Sequence, residues 1–296
     1  MTELLAQAVL QKRPIHELTL EYEIKEYKKS REEIVDEIKK RLNIMRDAAK
    51  KGVSETIVTR SGMVTGNAQK FFSRTKKPVL LGPVLNKGVA YALAVAEVNA
   101  AMGVIVAAPT AGSCGIMPGI LFALNEEVDS SEKKLVEGFL TASGVGLYIA
   151  HKATFAASVA GCAAEIGASA CMGAATITEF FGGTAEQAMH AGAISMKSTL
   201  GLVCDPVAGL VEVPCIKRNA IGVANAFTAA QMALAGIESA IPFEEVVETM
   251  YRIGRRLPAE LRETSKGGLA RTQTAIQITK RVNKDLFEPV TQARTI

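Results

Sequence analysis

The sequence predicts an all-α protein, one large helical domain behind an N-terminal helical arm. Three observations predict it. Period-two alternation is scarce, while apolar residues recur at helical spacing along most of the chain. Two capping boxes, Ser30–Glu33 and Thr184–Gln187, mark helix starts. Of the 296 residues, 48% are hydrophobic but only 5% aromatic, with no Trp. The core must therefore be Ala, Val, Leu, Ile and Met, with Gly permitting close approach, a composition that suits closely packed helices.

A charged segment at about 15–29 is expected to be helical. Behind Ser30, the residues Ile34, Ile38, Leu42, Met45 and Ala49 recur at helical spacing, predicting a helix over 31–50 that Gly52 ends. These segments form the arm, residues 1–60; residues 61–296 form the main domain. Residues 53–88 are punctuated by Ser61-Gly62, Thr65-Gly66, Gly82-Pro83 and Lys87-Gly88 and are expected to be less regular. Helix resumes over Val89–Val98 and stops at a Gly/Pro-rich loop, 109–119. Asp129-Ser-Ser-Glu132 opens a helix to about Ser143, and Ala-rich segments follow at 145–160 and 163–181. Thr184 starts a helix ending near Gly201. Residues 218–238 and 243–255 read as two more, and 269–284 as a last one after Gly267-Gly268.

The net charge of +4 is small, and no basic stripe is interleaved with aromatics, so nucleic acid is not an expected partner. The mixed charges of 21–51 read as a solvated helix face. The longest uncharged run lies between Glu97 and Glu126, but Pro109, Gly112, Pro118 and Gly119 interrupt it, which disfavours a lipid-facing helix. The N-terminus lacks a basic stretch followed by an apolar one. The expectation is a soluble cytoplasmic protein in a reducing compartment, with no membrane partner.

Five cysteines remain to be explained. Cys204 precedes Asp205-Pro206, Cys215 follows Pro214, and Cys162 follows Gly161. Residues that break helices place these three thiols at irregular backbone, where a side chain can face a cavity. In a reducing compartment such thiols suggest a metal centre more than a disulfide framework. No pair has zinc-ribbon spacing. Their local setting, with Glu165, Asp205 and Asn219 nearby, is what raises them above ordinary small buried side chains.

The run from Cys204-Asp-Pro-Val-Ala-Gly to Val-Pro-Cys215-Ile-Lys-Arg-Asn219 resembles the signature of the iron–sulfur-dependent bacterial L-serine dehydratases. Ala108-Pro109-Thr110-Ala-Gly112, Gly161-Cys162-Ala-Ala-Glu165-Ile-Gly167 and Arg262-Glu-Thr264-Ser265-Lys-Gly267-Gly268 resemble it too, in the family's order. The resemblance implies a [4Fe–4S] cluster held by Cys162, Cys204 and Cys215, leaving one iron open as a Lewis acid for the β-hydroxyl of L-serine. Loss of the Cα proton and hydroxide gives 2-aminoacrylate, which tautomerises and hydrolyses to pyruvate and ammonia. Cys114 and Cys171 match no ligand position.

Substrate contacts are expected first from Thr110, Gly112 and Ser113. Lys217, Arg218 and Asn219 come next, then Thr264, Ser265 and Lys266. His16, His151 and His190 match no catalytic motif. Single-chain family members carry a preceding domain with a Ser-Ser-His-Thr motif; two-chain members place it on a β subunit. The resemblance therefore implies an α subunit whose base comes from a β partner. Some single-chain members end in a cysteine that enters the active site, whereas this chain ends Ala-Arg-Thr-Ile. Competing readings are a cluster-dependent hydro-lyase on L-threonine or another small hydroxy acid, a pyridoxal-phosphate dehydratase, and a helical interaction module.

Overall fold

Helices form wherever apolar spacing and caps agree. The computed structural model describes residues 3–74 and 80–287; the residues at the Ala-Arg-Thr-Ile end lie outside them. In chain order the helices are α1 (Glu3–Gln11), α2 (Ile15–Tyr27), α3 (Arg31–Ser54), α4 (Asn67–Ser73), α5 (Pro83–Ala100), α6 (Ile116–Glu127) and α7 (Glu132–Lys152). After these come α8 (Ala157–Ala160), α9 (Ile166–Phe180), α10 (Ala185–Lys197), α11 (Cys215–Leu234), α12 (Phe243–Arg256) and α13 (Gln273–Phe287). The β pairing among the described residues is two isolated bridges, Val58 with Thr65 and Cys204 with Arg262. The fold is all-α, as the sequence predicts.

Both capping boxes form. The Ser30 hydroxyl accepts from the Glu33 N–H while the Glu33 carboxylate accepts from the Ser30 N–H, and Thr184 and Gln187 do the same. Gly52, however, does not end α3. A Cβ there would lie 2.5 Å from Ala94 Cβ, so Gly52 is the contact at which α3 crosses α5, and the helix runs on to Ser54. The expected loop 109–119 is also shorter. Helix α6 begins at Ile116 and takes in Pro118 within its first turn, where a missing N–H breaks no helical bond. Helix α7 runs past Ser143 to Lys152.

Within the irregular stretch 53–88, α4 has no local start signal. Its first N–H groups are capped from another helix: Asn67 and Ala68 donate to Glu97 of α5, at 2.7 and 3.3 Å. Glu97 is wholly buried; desolvation raises its carboxyl and these two hydrogen bonds oppose the rise.

Helix α9 is the centre of the molecule. Every residue from Ile166 to Thr178 is buried, against α7, α10, α11 and α6. A helix apolar on all sides belongs in the interior. Its hydroxyls are all satisfied by carbonyls, Ser169 by Ala108, Thr176 by Met172 and Gly138, and Thr178 by Ala174. The arm packs into the same interior: Leu5, Ile15, Ile38 and Leu42 share one apolar cluster with Tyr91, Met117 and Leu121. Glu179 at the end of α9 holds α2 in place, accepting from the Ile15 N–H and from the Thr141 hydroxyl at 2.6 Å. Among the described residues no single helix is long and apolar enough to cross a membrane. The bent pair Ala157–Ala163 and Ile166–Phe180 passes on length and composition alone, and α9 is its buried core.

Candidate active site

Three breaks in helical structure meet at one end of α9. The first is a 3-10 turn, Gly161–Ala163, which carries Cys162 and leads into α9. The second is the irregular stretch before α11, which includes a 3-10 turn at Val207–Gly209. Here Cys204 pairs with the 261–263 segment, its N–H donating to Leu261 O at 2.8 Å and its carbonyl accepting from the Glu263 N–H at 2.7 Å. Pro214 ends the stretch, so Cys215 is the first residue of α11 rather than part of a loop. The third is the 3-10 turn Ala111–Ser113.

All three thiols are buried, at 1%, 3% and 7% exposure for Cys162, Cys204 and Cys215. None is in a disulfide. The sulfurs of Cys162 and Cys204 and a carboxylate oxygen of Glu165 lie within 4.8 Å of one another. The thiols perturb each other's protons. A hydrogen bond from the Cys204 thiol is the main cause that drives Cys162 below its usual range; burial opposes this and the Arg218 guanidinium assists it. Cys204 is driven up in turn, chiefly by the same hydrogen bond. Burial and then the charge on Cys162 push Cys215 up to about 12. Buried thiols this close compete for negative charge, which a shared cation would relieve. The remaining cysteines are packing residues in this arrangement. Cys171 is fully enclosed in α9 and raised by desolvation, and Cys114 is buried against α5, its thiol pushed up to about 12 by burial.

Glu165 links the thiols to the Thr110 turn. The Thr110 hydroxyl donates to Glu165 Oε1 at 2.7 Å, while Oε2 accepts no hydrogen bond among the described residues. A Cβ on Gly112 would stand 2.8 Å from both oxygens, so only glycine leaves room for this carboxylate. Desolvation raises the Glu165 carboxyl, against the pull of Thr110. The N–H groups of Ala111 and Gly112 have no partner among the described residues.

Of the substrate-contact residues expected from sequence, Thr110 and Gly112 lie against Glu165, the carboxylate beside Cys162 and Cys204. Ser113 is buried behind them, its hydroxyl on Ala108 O and within 3.2 Å of Thr110 Oγ1. Asn219 is 1% exposed and fully committed: its amide donates to Gly112 O and Cys215 O and accepts from the Gly115 N–H, lacing the turn to α11. Lys217 is exposed on the far face of α11. Thr264 and Ser265 bond to Ala259 O and Pro206 O, and line a cavity of about 410 Å3 that includes none of the three thiols.

Arg218 is the basic residue that faces the site. It donates to Val203 O at 2.7 Å and to Asp205 at 3.1 Å, and reaches Cys162. Asp205 in turn accepts from the Leu269 N–H at 2.8 Å, and buried Glu212 accepts from the Thr59 and Ser61 hydroxyls. The thiol-bearing stretch is therefore anchored on both sides. Arg218 and Glu165 share a signal that local sequence reading undervalued. Each stands three residues after a site cysteine, the spacing that returns a side chain to the same face of a helical turn.

The donor set fits a thiolate-bound metal centre. Soft thiols select iron–sulfur clusters, zinc or cuprous copper, and the hard carboxylate at the rim suits a metal-bound or protonated substrate group.

The chain is similar to known proteins over most of its length. The sequence model of the family described as "Serine dehydratase alpha chain" matches residues 11–270. The chain is 44% identical over 270 residues to the "Probable L-serine dehydratase, alpha chain" of Bacillus subtilis (strain 168), covering 90% of this chain and 89% of that one. It is 45% identical over 265 residues to the "L-serine dehydratase, alpha chain" of Peptoniphilus asaccharolyticus, covering 89% and 91%. With "L-serine dehydratase 1" of Escherichia coli (strain K12) the identity is 43% over 182 residues, 61% of this chain and 40% of that one.

Proposed function

This chain belongs to the serine dehydratase alpha-chain family, and from that premise we propose that it dehydrates and deaminates L-serine to pyruvate and ammonia with a [4Fe–4S] cluster on Cys162, Cys204 and Cys215. The meeting of two buried free thiols, Cys162 and Cys204, with the Glu165 carboxylate, and with buried Cys215 near enough to feel the charge on both Cys162 and Glu165, is the observation that carries the reading. When bound, such a cluster supplies an open iron, a Lewis acid for the β-hydroxyl.

The chain's own residues do the rest of the positioning. Glu165, held by Thr110, offers Oε2 to the substrate ammonium. The free N–H groups of Ala111 and Gly112 receive the substrate carboxylate, as successive main-chain donors in a turn do for anions. Arg218 lowers the proton affinity of Cys162 and keeps it a thiolate donor. Asn219 and Asp205 hold these parts in register and touch no reacting atom.

The Cα proton needs a different acceptor, and the histidines of this chain are engaged elsewhere. His16 sits between Glu137 and Glu179, and His190 accepts from the Ser239 N–H. His151 is exposed at the end of α7. We assign the base to a β subunit, which the alpha-chain naming of the relatives implies.

The test is pyruvate formation from serine, threonine and malate under anaerobic conditions by this chain alone, by the β chain alone, and by the two together. Serine turnover is expected only from the mixture, with threonine slower by roughly one methyl group's worth of discrimination, about 10–200-fold. Full turnover by this chain alone, lost on changing one of its three histidines, would move the base onto this subunit.

A further inference from the structure

Between α5 and the Thr110 turn the chain makes no secondary structure. Residues 104–107, Val-Ile-Val-Ala, carry no helix, turn or bend and lie between Gly103 and the buried Ala108. None of their main-chain N–H or C=O groups makes a hydrogen bond among the described residues. Such groups are obligatory donors and acceptors, and a run of four left open offers a neighbouring strand main-chain groups to pair with.

The side chains agree. Val, Ile and Val are strand formers. Ile105 and Val106 rest on the core, while Val104 is 76% exposed and Met102, two residues earlier, 73%. Exposed edges are normally blunted by a lysine, an inward charge or a bulge. This one has no charged residue anywhere between Glu97 and Glu126. An apolar, uncharged, unpaired edge is built to be covered.

We propose that residues 104–107 are the docking edge on which an extended segment of the β partner adds as a strand. The inference rests on the two-chain reading above. A strand is the occupant because main-chain groups are what the edge offers; a helix has none to spare. The partner chain is the occupant for two reasons. The edge runs directly into Pro109-Thr110, whose hydroxyl holds Glu165, so a neighbour seated there stands beside the thiols. Moreover, the match to the Escherichia coli relative covers only 40% of that protein, so most of its length lies outside what this chain supplies. On the two-chain reading, part of that extra length is what the separate β chain supplies here, held by contacts rather than by the backbone.

Hydrogen exchange of this chain, alone and with the β chain, tests the proposal, with sedimentation reporting complex formation independently of activity. The amides of 104–107 are expected to exchange freely in the lone chain and to slow at least about 10-fold in the complex, as paired strand amides do. Val104→Lys, at an exposed position, is expected to leave melting temperature and iron content unchanged and to weaken β binding at least about 10-fold. A complex that forms and turns over serine with 104–107 unprotected, or with Val104→Lys binding as wild type, overturns this proposal alone. Absence of any complex overturns the two-chain reading and this proposal with it. Protection that grows with the concentration of the lone chain would give the edge to a second copy instead and likewise overturns it.

Discussion

Cys162→Ser, Cys204→Ser and Cys215→Ser are each expected to lose most of the bound iron and at least about 10³-fold in serine turnover, since a hydroxyl is a poor substitute for a soft thiolate and the Lewis acid contributes several kcal/mol. Cys171→Ser is the control. Its thiol is enclosed in α9 among apolar neighbours and contacts no site residue, so iron and turnover are expected to persist, at some cost in stability from the buried hydroxyl. Iron quantified in anaerobically reconstituted variants, alongside pyruvate formation, separates the two groups. A Cys171→Ser variant stripped of iron, beside a Cys162→Ser variant that keeps it, would show the ligand assignment to be wrong.

The second large effect is expected at Glu165. Glu165→Gln keeps the shape and leaves an amide oxygen for the Thr110 hydroxyl, but removes the charge that faces the thiols. A charge-assisted contact with the substrate ammonium is worth about 1.5–3 kcal/mol, so kcat/KM is expected to fall roughly 10–150-fold, mostly through KM, with iron content unchanged. Steady-state kinetics of the two-chain enzyme across serine concentrations reads the split. An unchanged KM would remove Glu165 from substrate binding.

The fold was legible where a signal is local. Ser30–Glu33 and Thr184–Gln187 carry their caps within four residues, and both helices start where those boxes place them. It was not legible where tertiary packing reassigns a residue. Gly52 looks like a helix stop by its missing Cβ alone. Its actual role needs Ala94, which lies on another helix. Helix α4 starts because Glu97 caps it from α5, thirty residues on. The site divides the same way. Gly161, Pro206 and Pro214 marked the three thiols as lying at breaks in helical structure, and they do, although Cys215 turns out to open a helix. Which polar side chains face them depends on turn phase, and that favours Glu165 and Arg218 over Lys217, one residue off the productive face. Asn219 stood out by its position after Cys215, but its hydrogen bonds are spent within the chain.

This chain itself is expected to hold an iron–sulfur cluster on its three thiols. Iron and acid-labile sulfide, measured on the chain purified and reconstituted without oxygen, test it most directly. The expected result is about four irons and four sulfides per chain, lost in air and restored by ferrous iron, sulfide and a thiol reductant. A chain that carries zinc or no metal under those conditions, yet sustains serine turnover with its partner in aerated buffer containing a chelator, would contradict the account.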